Sequence, residues 1–287
     1  MNYEIKALLP GLYLVATPIG NARDITLRAL DVLASADVLA AEDTRTARKL
    51  LEIHGVPLNG RRVIAYHDHS NAGARDRLVQ AVMAGQSLAY VSEAGTPLVA
   101  DPGFALGRDL AKAGGKIYAV PGASAVLSAL NVGGLPTDRF LFVGFTPNAK
   151  TARRTQLAEL KQTDATVVLY ESPKRIQDLV TDLCDIFGED RQAAICRELT
   201  KKFEETLRGT LGELRDILSD RSLKGEIVLL IDRDHGGGDQ SADLEQALRE
   251  AMAVMRVKDA SAAVAGALGL PQRDVYQAAL ALKKKDG

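Results

Sequence analysis

A loop rich in ligand-binding groups runs from Ser92 to Gly103. Its twelve residues read Ser-Glu-Ala-Gly-Thr-Pro-Leu-Val-Ala-Asp-Pro-Gly and follow an apolar run directly. Connections in α/β domains usually take ~2–6 residues, so this polar loop is longer than a turn requires. Its carboxylates and hydroxyls can hydrogen-bond sugar hydroxyls and amino groups, whereas its glycines let a ligand approach the backbone. We therefore predict that this loop binds a ligand.

Two shorter loops also follow apolar runs and precede helical patterns. One is Ala16–Asn21, which contains Pro18 and Gly20, and the other is Val120–Ala125, which reads Val-Pro-Gly-Ala-Ser-Ala. Small residues and free N–H groups at a helix start suit a ligand that lies against the backbone. An ordinary strand–helix turn explains the first loop equally well, and tight helix–strand packing explains the second.

Polar residues also stand at the ends of three later apolar runs. They are Tyr170-Glu171-Ser172-Pro173, Arg197-Glu198-Leu199-Thr200 and Lys224-Gly225-Glu226. Carboxylates there could accept hydrogen bonds from ribose hydroxyls, and backbone groups could read an adenine edge. A structural salt bridge or a helix cap is the alternative for each group. The chain has neither G-x-G-x-x-G nor G-x-x-x-x-G-K-[ST], so dinucleotide and triphosphate cofactors lose support. Cys184 and Cys196 have no zinc-ligand spacing, and we expect no metal site.

Short apolar runs alternate with longer amphipathic stretches along most of the chain. Buried parallel strands are typically apolar throughout, whereas helices repeat apolar residues every three or four positions. The predicted strands are Leu12–Ala16, Val38–Ala41, Val63–Tyr66, Leu88–Val91, Lys116–Val120, Phe140–Phe145, Thr166–Tyr170, Ala193–Cys196 and Glu226–Ile231. The predicted helices between them include Ile25–Ser35, Ala72–Met83, Phe104–Ala113 and Arg175–Phe187. This alternation predicts an α/β fold with mostly parallel sheets.

The length of 287 residues suits two α/β domains better than one nine-stranded sheet. The stretch Gly133–Asp138 is the least patterned, so we predict domains at 1–135 and 136–234. Residues 235–242 have the composition of a flexible linker. Residues 243–287 are predicted to form a helical tail, with helices at Asp243–Met255, Ala260–Leu268 and Asp274–Leu282.

Composition narrows the class of protein further. With 46% hydrophobic and 25% charged residues, the chain is typical of a globular protein with a substantial core. It has no apolar run of the ~20 residues needed to cross a bilayer and no secretory signal at its start, so we expect a cytoplasmic protein. The net charge of −1 argues against nucleic-acid binding by bulk positive field. Local basic groups remain at Arg23–Lys49, Lys150–Arg154 and Lys283–Lys285, where solvated helix faces are the simpler interpretation.

Six short motifs together resemble one family. They are Thr17-Pro-Ile-Gly-Asn21, Ala41-Glu-Asp-Thr-Arg45, Ser92-Glu-Ala-Gly-Thr-Pro97 with Asp101-Pro-Gly103, Pro121-Gly-Ala-Ser-Ala125, Tyr170-Glu-Ser172 and Gly225-Glu-Ile-Val228. In order and register over Leu12–Ile231, they resemble bacterial small-subunit ribosomal RNA cytidine 2′-O-methyltransferases of the tetrapyrrole-methylase superfamily. Porphyrin methylases open with G-x-G-P-G-D instead and lack the Ala41–Thr46 block.

The resemblance implies two α/β domains, with S-adenosyl-L-methionine in the cleft between them, and a homodimer. It also implies a set of cofactor-binding residues: Pro18, Ser92, Ala94, Gly95, Thr96, Ala123, Ser124, Tyr170, Glu171, Arg197, Gly225, Glu226 and Ile227. The first loops would contact the methionine and ribose parts, and the residues from Tyr170 onward would close the adenosine side. The family commonly has Asp at the position of Glu93, so a direct contact from that side chain is in doubt.

The same resemblance implies that the acceptor is 16S ribosomal RNA within the small ribosomal subunit. Glu42, Asp43 and Arg45 lie in the block specific to the RNA branch, so we assign them to substrate handling. A ribose hydroxyl is a poor nucleophile and benefits from a general base. Asp43 is the candidate base, and Arg45 is the candidate phosphate or ribose contact. His67-Asp68-His69 is a second candidate base, although an exposed polar turn is the favoured interpretation.

Two other functions were weighed against this prediction. A tetrapyrrole methylase would share the fold and cofactor, but the opening loop and the helical tail count against it. A DNA-binding regulator could use Ala260–Leu282 as a helix-turn-helix, although Gln272 and Arg273 are the only evident polar readers at the start of the second helix. A regulator would also leave the α/β body without a function.

Overall fold

The computed structural model describes residues 2–67, 72–234, 240–268 and 270–286. The chain forms two compact units. The larger comprises Met1–Lys161 and Ala165–Asp232, and the smaller comprises Gln162–Asp164 and Arg233–Gly287.

The first sheet of the larger unit has five parallel strands in the order β3-β2-β4-β1-β5. The strands are β1 (Gly11–Val15), β2 (Val38–Ala41), β3 (Val63–Ala65), β4 (Ser87–Val91) and β5 (Ile117–Val120). The crossover helices are α1 (Leu27–Ser35), α2 (Thr44–Ile53), α3 (Ala72–Met83) and α4 (Phe104–Lys112). One core cluster joins the sheet to α1 and α2, and another joins it to α3 and α4. Because both faces are covered, β4 is buried along its whole length.

The second sheet has five strands in the order β6-β7-β10-β8-β9. They are β6 (Phe140–Phe145), β7 (Thr166–Glu171), β8 (Gln192–Arg197), β9 (Glu205–Thr210) and β10 (Ile227–Ile231). The associated helices are α5 (Ala125–Gly133), α6 (Lys150–Leu160), α7 (Ile176–Phe187) and α8 (Leu211–Asp220). Helices α6, α7 and α8 share a core cluster with one face of the sheet, and α5 packs on the other face.

The predicted α/β fold class is confirmed, with one correction. The expectation of mostly parallel pairing holds for the first sheet but is wrong for the second, where only β6 and β7 pair in parallel and the other three pairings are antiparallel. Strand β9 was also not predicted. Its sequence Glu-Thr-Leu-Arg-Gly-Thr has a single apolar residue, because it is a partly exposed edge strand that needs no continuous apolar run.

The boundary predicted at residue 135 stays a prediction. Helix α5 precedes that boundary, yet Val126, Ala129 and Leu130 pack against the second sheet. The apolar face of a helix can pack against either of two neighbouring sheets. The sequence pattern of α5 therefore does not show which sheet the helix packs on.

The described part of the smaller unit contains three helices, α9 (Gln240–Val254), α10 (Val257–Leu268) and α11 (Gln272–Asp286). They pack around a cluster that includes Leu248, Val264, Val275 and Ala279. All three tail helices were predicted. Residues 235–239 of the predicted linker lie outside the described residues, and α9 begins at Gln240. Among the described residues, no helix is both long and apolar enough to cross a membrane.

Candidate active site

The larger unit contains a cleft of about 340 Å³ bordered by the loops after β1 and β4, the start of α5 and the ends of β7 and β10. Its walls are mostly apolar and carry the carboxylates Asp101, Glu171 and Glu226. No lysine or arginine is among the described residues that line it. Such a cleft suits a ligand that has a flat apolar portion and a positive charge.

The three ligand loops predicted from the sequence meet at this cleft. Thr17 and Gly95 exchange two backbone hydrogen bonds, with N···O distances of 2.8 and 3.0 Å. The hydroxyl of Thr96 donates to the carbonyl of Ala123 at 3.0 Å. Gly95 has a φ of +78°, and a Cβ there would lie 3.2 Å from Ile19. A side chain at this position would therefore be strained, which explains the glycine.

The loop after β4 holds two non-glycine residues in the left-handed region. Leu98 has a φ of 72° and Ala100 a φ of 60°. Such conformations persist only where the surroundings enforce them, and they cluster at ligand sites. The Tyr90 hydroxyl donates to the carbonyl of Pro102 at 3.2 Å and holds the end of the loop. The strained segment places Asp101 in the wall of the cleft.

The environment of the cleft alters the carboxyl group of Asp101. Burial of the half-buried carboxyl raises its pKa from 3.8 to about 6, and the charges of Glu42 and Glu93 add to the rise. A hydrogen bond with Ser92 offsets part of the increase. A cationic partner would stabilise the ionised form of this carboxylate, because it would replace the solvation that is lost on burial.

The wall from β7 is built around Tyr170 and Glu171. Burial raises the pKa of Tyr170 to about 12, and the negative charge of Asp101 adds to this. Glu171 is buried and already bonded. It accepts from the Thr146 hydroxyl at 2.8 Å and the Ser172 N–H at 2.7 Å, and it pairs with Arg175 at 3.1 Å. The side chain of Glu171 therefore stabilises the wall.

The wall from β10 depends on Gly225. This residue has a φ of +89°, and a Cβ there would overlap the carboxyl group of Glu198. Glu198 accepts the Glu226 N–H at 3.0 Å, and Lys201 bridges the Glu198 and Glu226 carboxylates at 2.9 Å each. These contacts keep the backbone at the start of β10 close against the cleft.

Nine of the predicted cofactor-binding residues line the cleft: Ala94, Gly95, Thr96, Ser124, Tyr170, Glu171, Gly225, Glu226 and Ile227. The other four are not among the residues that line it: Pro18, Ser92, Ala123 and Arg197. Arg197 instead pairs with Glu205 at 3.2 Å and donates to the carbonyl of Lys224 at 3.0 Å. The predicted ligand contacts themselves stay a prediction.

The sequence analysis did not select several lining residues: Ile19, Val99, Ala100, Asp101, Ala125, Phe145, Ser172, Pro173, Cys196, Leu199 and Val228. Asp101 could have been found, since it is one of two carboxylates in a loop predicted to bind a ligand. Phe145 and Cys196 carry no such signal, because apolar strand residues at a cleft look the same as core residues.

Hydrogen-bond donors surround Asp43, the predicted base. It caps α2, and its carboxylate accepts the N–H groups of Arg45 at 2.7 Å and Thr46 at 3.4 Å. The Arg45 guanidinium pairs with the same carboxylate at 2.9 Å. These contacts, chiefly the one with the Arg45 side chain, lower the pKa of Asp43 to about 2. A carboxylate that binds a proton this weakly is a poor base in the ligand-free protein, and the assignment of Asp43 as the base stays a prediction.

Glu42, which precedes Asp43, links the end of β2 to the loop after β4. Its Oε2 accepts the backbone N–H of Glu93 at 3.1 Å. The second predicted base, His67-Asp68-His69, is described only at His67, which is exposed; Asp68 and His69 lie outside the described residues.

A family model described as Tetrapyrrole (Corrin/Porphyrin) Methylases matches residues 11–215, and one described as RsmI C-terminal HTH domain matches residues 238–283. Solved structures share the fold. A cobalt precorrin-4 methyltransferase aligns with a TM-score of 0.58 and 17% identity over 77% of this chain and 94% of that chain. A Thermus thermophilus uroporphyrin-III C-methyltransferase complexed with S-adenosylhomocysteine has a TM-score of 0.53 and 17% identity over 77% of this chain and 97% of that chain. The chain belongs to the tetrapyrrole (corrin/porphyrin) methylase family.

Relatives that match nearly the whole chain share a single name, ribosomal RNA small subunit methyltransferase I. The protein of Mesorhizobium japonicum is 43% identical over 98% of this chain and 95% of its own length. The Vibrio cholerae protein is 41% identical, with 96% of each covered. The Bacillus subtilis protein is 33% identical, with 97% of each covered.

Proposed function

We propose that this chain transfers a methyl group from S-adenosyl-L-methionine to the 2′-hydroxyl of a cytidine ribose in 16S ribosomal RNA. The observation that carries the proposal is the cleft with Asp101 in its wall, whose described lining residues include three carboxylates and no lysine or arginine. The full-length relatives of the chain are named for ribosomal RNA methylation.

The cleft residues fit this cofactor. When bound, S-adenosyl-L-methionine supplies a methyl group on a positively charged sulfonium, next to an adenine ring and an ammonium group. Ile227 and Val228 present buried apolar surface that suits the adenine. Gly95 and Gly225 keep the backbone free of side chains where a Cβ would meet Ile19 or Glu198. The absence of lysine and arginine from the described lining residues disfavours a phosphate-bearing cofactor.

The chain's own contribution is position and electrostatics. Asp101 attracts the cationic part of the cofactor, and partial burial strengthens that attraction because little water screens it. Thr17, Gly95 and Thr96 hold their loops in one arrangement through the hydrogen bonds described above. For a transfer with a good leaving group, fixing two reactants in line can supply much of the rate enhancement.

The acceptor side is assigned to the N-terminal part of α2. Arg45 is 91% exposed, and Arg48 and Lys49 are exposed on the same helix. Arg45 also lies close enough to Glu93 for their charges to interact, so this basic face borders the cofactor loop. Arginine and lysine at such a place suit RNA phosphates. In contrast, Arg153 and Arg154 of the second basic group are paired with Asp182 at 2.7 Å.

Glu42 and Asp43 belong to the same acceptor-side block, in roles other than that of the base. Glu42 tethers the loop after β4, and Asp43 orients Arg45 and caps α2.

The wider setting follows from the relatives' name and the resemblance. We propose that the enzyme acts in the cytoplasm on the assembled small subunit, where a folded ribosomal site is recognised by shape and phosphate contacts. We also propose a homodimer and a docking role for the helical unit. Apolar side chains that are exposed in the single chain, such as Leu27, Leu127 and Leu141, are available for a subunit contact.

The test is transfer of radiolabelled methyl from S-adenosyl-L-methionine to three acceptors: unmethylated small ribosomal subunits, naked 16S RNA and a uroporphyrinogen. We expect label on the subunits that survives alkaline hydrolysis as a 2′-O-methyl dinucleotide containing cytidine. Label on the tetrapyrrole alone would overturn the RNA assignment while leaving the family unchanged. Label on naked RNA but not on subunits would reject the assembled particle as the substrate.

A further inference from the structure

Phe145 presents an exposed aromatic ring at the cleft. It lines the cleft and is 59% exposed, whereas Ile227, Val228 and Leu199 of the same cleft are 3%, 5% and 7% exposed. A phenylalanine at the end of a strand would normally be expected to bury its ring. Its exposure beside a ligand site therefore suggests a contact that the isolated chain does not make.

The backbone of β6 directs this ring. The pairing of β6 with β7 shifts register between Phe142 and Gly144, and Gly144 has a φ of +78°. Residues 142 and 145 are three positions apart, so a regular strand would point them to opposite faces. The bulge brings both rings to Tyr170. Bulges of this kind re-aim side chains beside active sites.

The rings of Phe142, Phe145 and Tyr170 pack against one another. Phe145 meets Tyr170 edge-to-face, with ring centroids 5.6 Å apart and an interplanar angle of 68°. Phe142 meets Tyr170 at 4.9 Å and 65°. The next residue, Thr146, donates its hydroxyl to Glu171 and accepts from Arg175 at 2.9 Å. The ring of Phe145 is thus held from one side, and its exposed surface faces outward.

We propose that Phe145 is a stacking platform for a nucleobase of the RNA acceptor. The inference rests on the proposed function, because it takes its ligand class from the RNA substrate. Unpaired bases in RNA stack on protein aromatic rings, and every base offers a flat π-face for this. The cofactor's adenine is better served by the buried walls at Ile227 and Val228, so the exposed ring is assigned to the acceptor.

The first test compares Phe145→Ala with Phe203→Ala in methyl transfer to unmethylated small subunits. Phe203 is a matched control, since it is 63% exposed and does not line the cleft. We expect Phe145→Ala to raise the KM for subunits by about fivefold or more, the effect of losing one stacked base. Phe145→Leu should behave like Phe145→Ala, because it retains apolar area without a flat ring, and Phe145→Tyr should restore the KM.

The affinity for S-adenosylhomocysteine, measured by calorimetry, should stay within about twofold of wild type in all four variants. This result would also show that the variants fold. A loss of affinity that matches the rise in KM would place the ring in the cofactor site and overturn the proposal. A change in the molar mass by light scattering in Phe145→Ala alone would make the ring a subunit contact and would also overturn it.

A second test uses fluorescence and does not depend on catalysis. The chain has no tryptophan, so Phe145→Trp introduces a single reporter at the platform. We expect unmethylated small subunits to quench its emission, S-adenosylhomocysteine to leave it nearly unchanged, and Phe203→Trp to respond weakly to both. Quenching equal to that of Phe203→Trp would contradict stacking. Wild-type protein without any transfer to subunits would reject the proposed function, whereas transfer with an unchanged KM in Phe145→Ala would reject only the platform.

Discussion

Asp43 and Asp101 stand near the same edge of the first sheet in opposite surroundings. Asp43 follows β2 and is surrounded by donors, namely the Arg45 guanidinium and two N–H groups of α2, which lower its pKa to about 2. Asp101 lies in the loop after β4, where burial and the nearby Glu42 and Glu93 raise its pKa to about 6. The carboxylate of Asp43 therefore already has its hydrogen-bond and ion-pair partners, whereas the carboxylate of Asp101 lacks a cationic partner that would stabilise its charge.

This difference shows that the surroundings in the fold, rather than the residue type, set the properties of each carboxyl group. In the sequence, Asp43 stands two residues before Arg45 in a characteristic block, whereas Asp101 stands between alanine and proline. In the structure, Arg45 forms an ion pair with the Asp43 carboxylate. The loop after β4 places the Asp101 carboxylate in the wall of the cleft. Substitutions at the two positions test whether the contrast is functional.

The largest effect is expected for Asp101→Asn on cofactor affinity. Removing one charge of a partly buried pair should weaken binding of S-adenosyl-L-methionine by about 30-fold or more. Isothermal titration calorimetry measures this, and Asp43→Asn is the matched control, with affinity expected within about twofold of wild type. Equal losses in the two variants would break the comparison.

Unfolding cannot account for that loss. The folded-state pKa of Asp101 is raised above its ordinary value, so the stability linked to its proton is present at low pH and is lost as pH rises through about 6. At pH 7 the neutral asparagine should therefore leave the ligand-free protein at least as stable as wild type. A thermal melt of both proteins without cofactor checks this.

The pH dependence of cofactor binding should show the second largest effect. Because the ionised form of Asp101 binds the cation, wild-type affinity for S-adenosylhomocysteine, which keeps the ammonium group, should fall about tenfold from pH 7 to pH 5. Calorimetry across that range should give a midpoint near 6. Asp101→Asn should have a flat profile, and an equally steep profile in that variant would assign the titration to another group.

Glu42→Gln should have a smaller effect, which is a shift in the pH dependence of cofactor binding. Glutamine keeps an oxygen that can accept the Glu93 N–H but removes a charge that raises the pKa of Asp101. The binding midpoint should move to lower pH by less than one unit, which is about a two- to threefold gain in affinity at pH 5.5. Glu42→Ala also loses the tether, so its affinity should fall at every pH. A midpoint that does not move in Glu42→Gln would show that Glu42 acts only as a tether.

The smallest effect is expected for Asp43→Asn on turnover. Asparagine caps a helix about as well as aspartate, and the pKa of Asp43 already makes it a weak proton acceptor. We expect kcat for small subunits within about twofold of wild type. Loss of a general base typically reduces turnover 10²–10⁴-fold, so a reduction of that size would restore Asp43 as the base.

Much of the first sheet could be predicted because burial on both faces leaves a clear pattern. Val38–Ala41 is a strand and Ala72–Met83 is a helix, both with the predicted limits. The strand pairing of the second sheet was harder to predict from the sequence. Apolar runs do not state their direction, and the short connection from β8 to β9 forces antiparallel pairing through a strand with only Leu207 as an apolar residue.

The sequence by itself determined the α/β class, the loops that follow the strands and the family, because these depend on local periodicity and on motifs in a set order. Only the tertiary structure decided which side chains meet. It brought Asp101 beside Glu42 and Glu93, paired Asp43 with Arg45, and turned Phe145 towards Tyr170 through a bulge. The physical reason is that pKa, burial and ring orientation depend on neighbours that are distant in sequence, and those neighbours are set by sheet order, strained loops and packing.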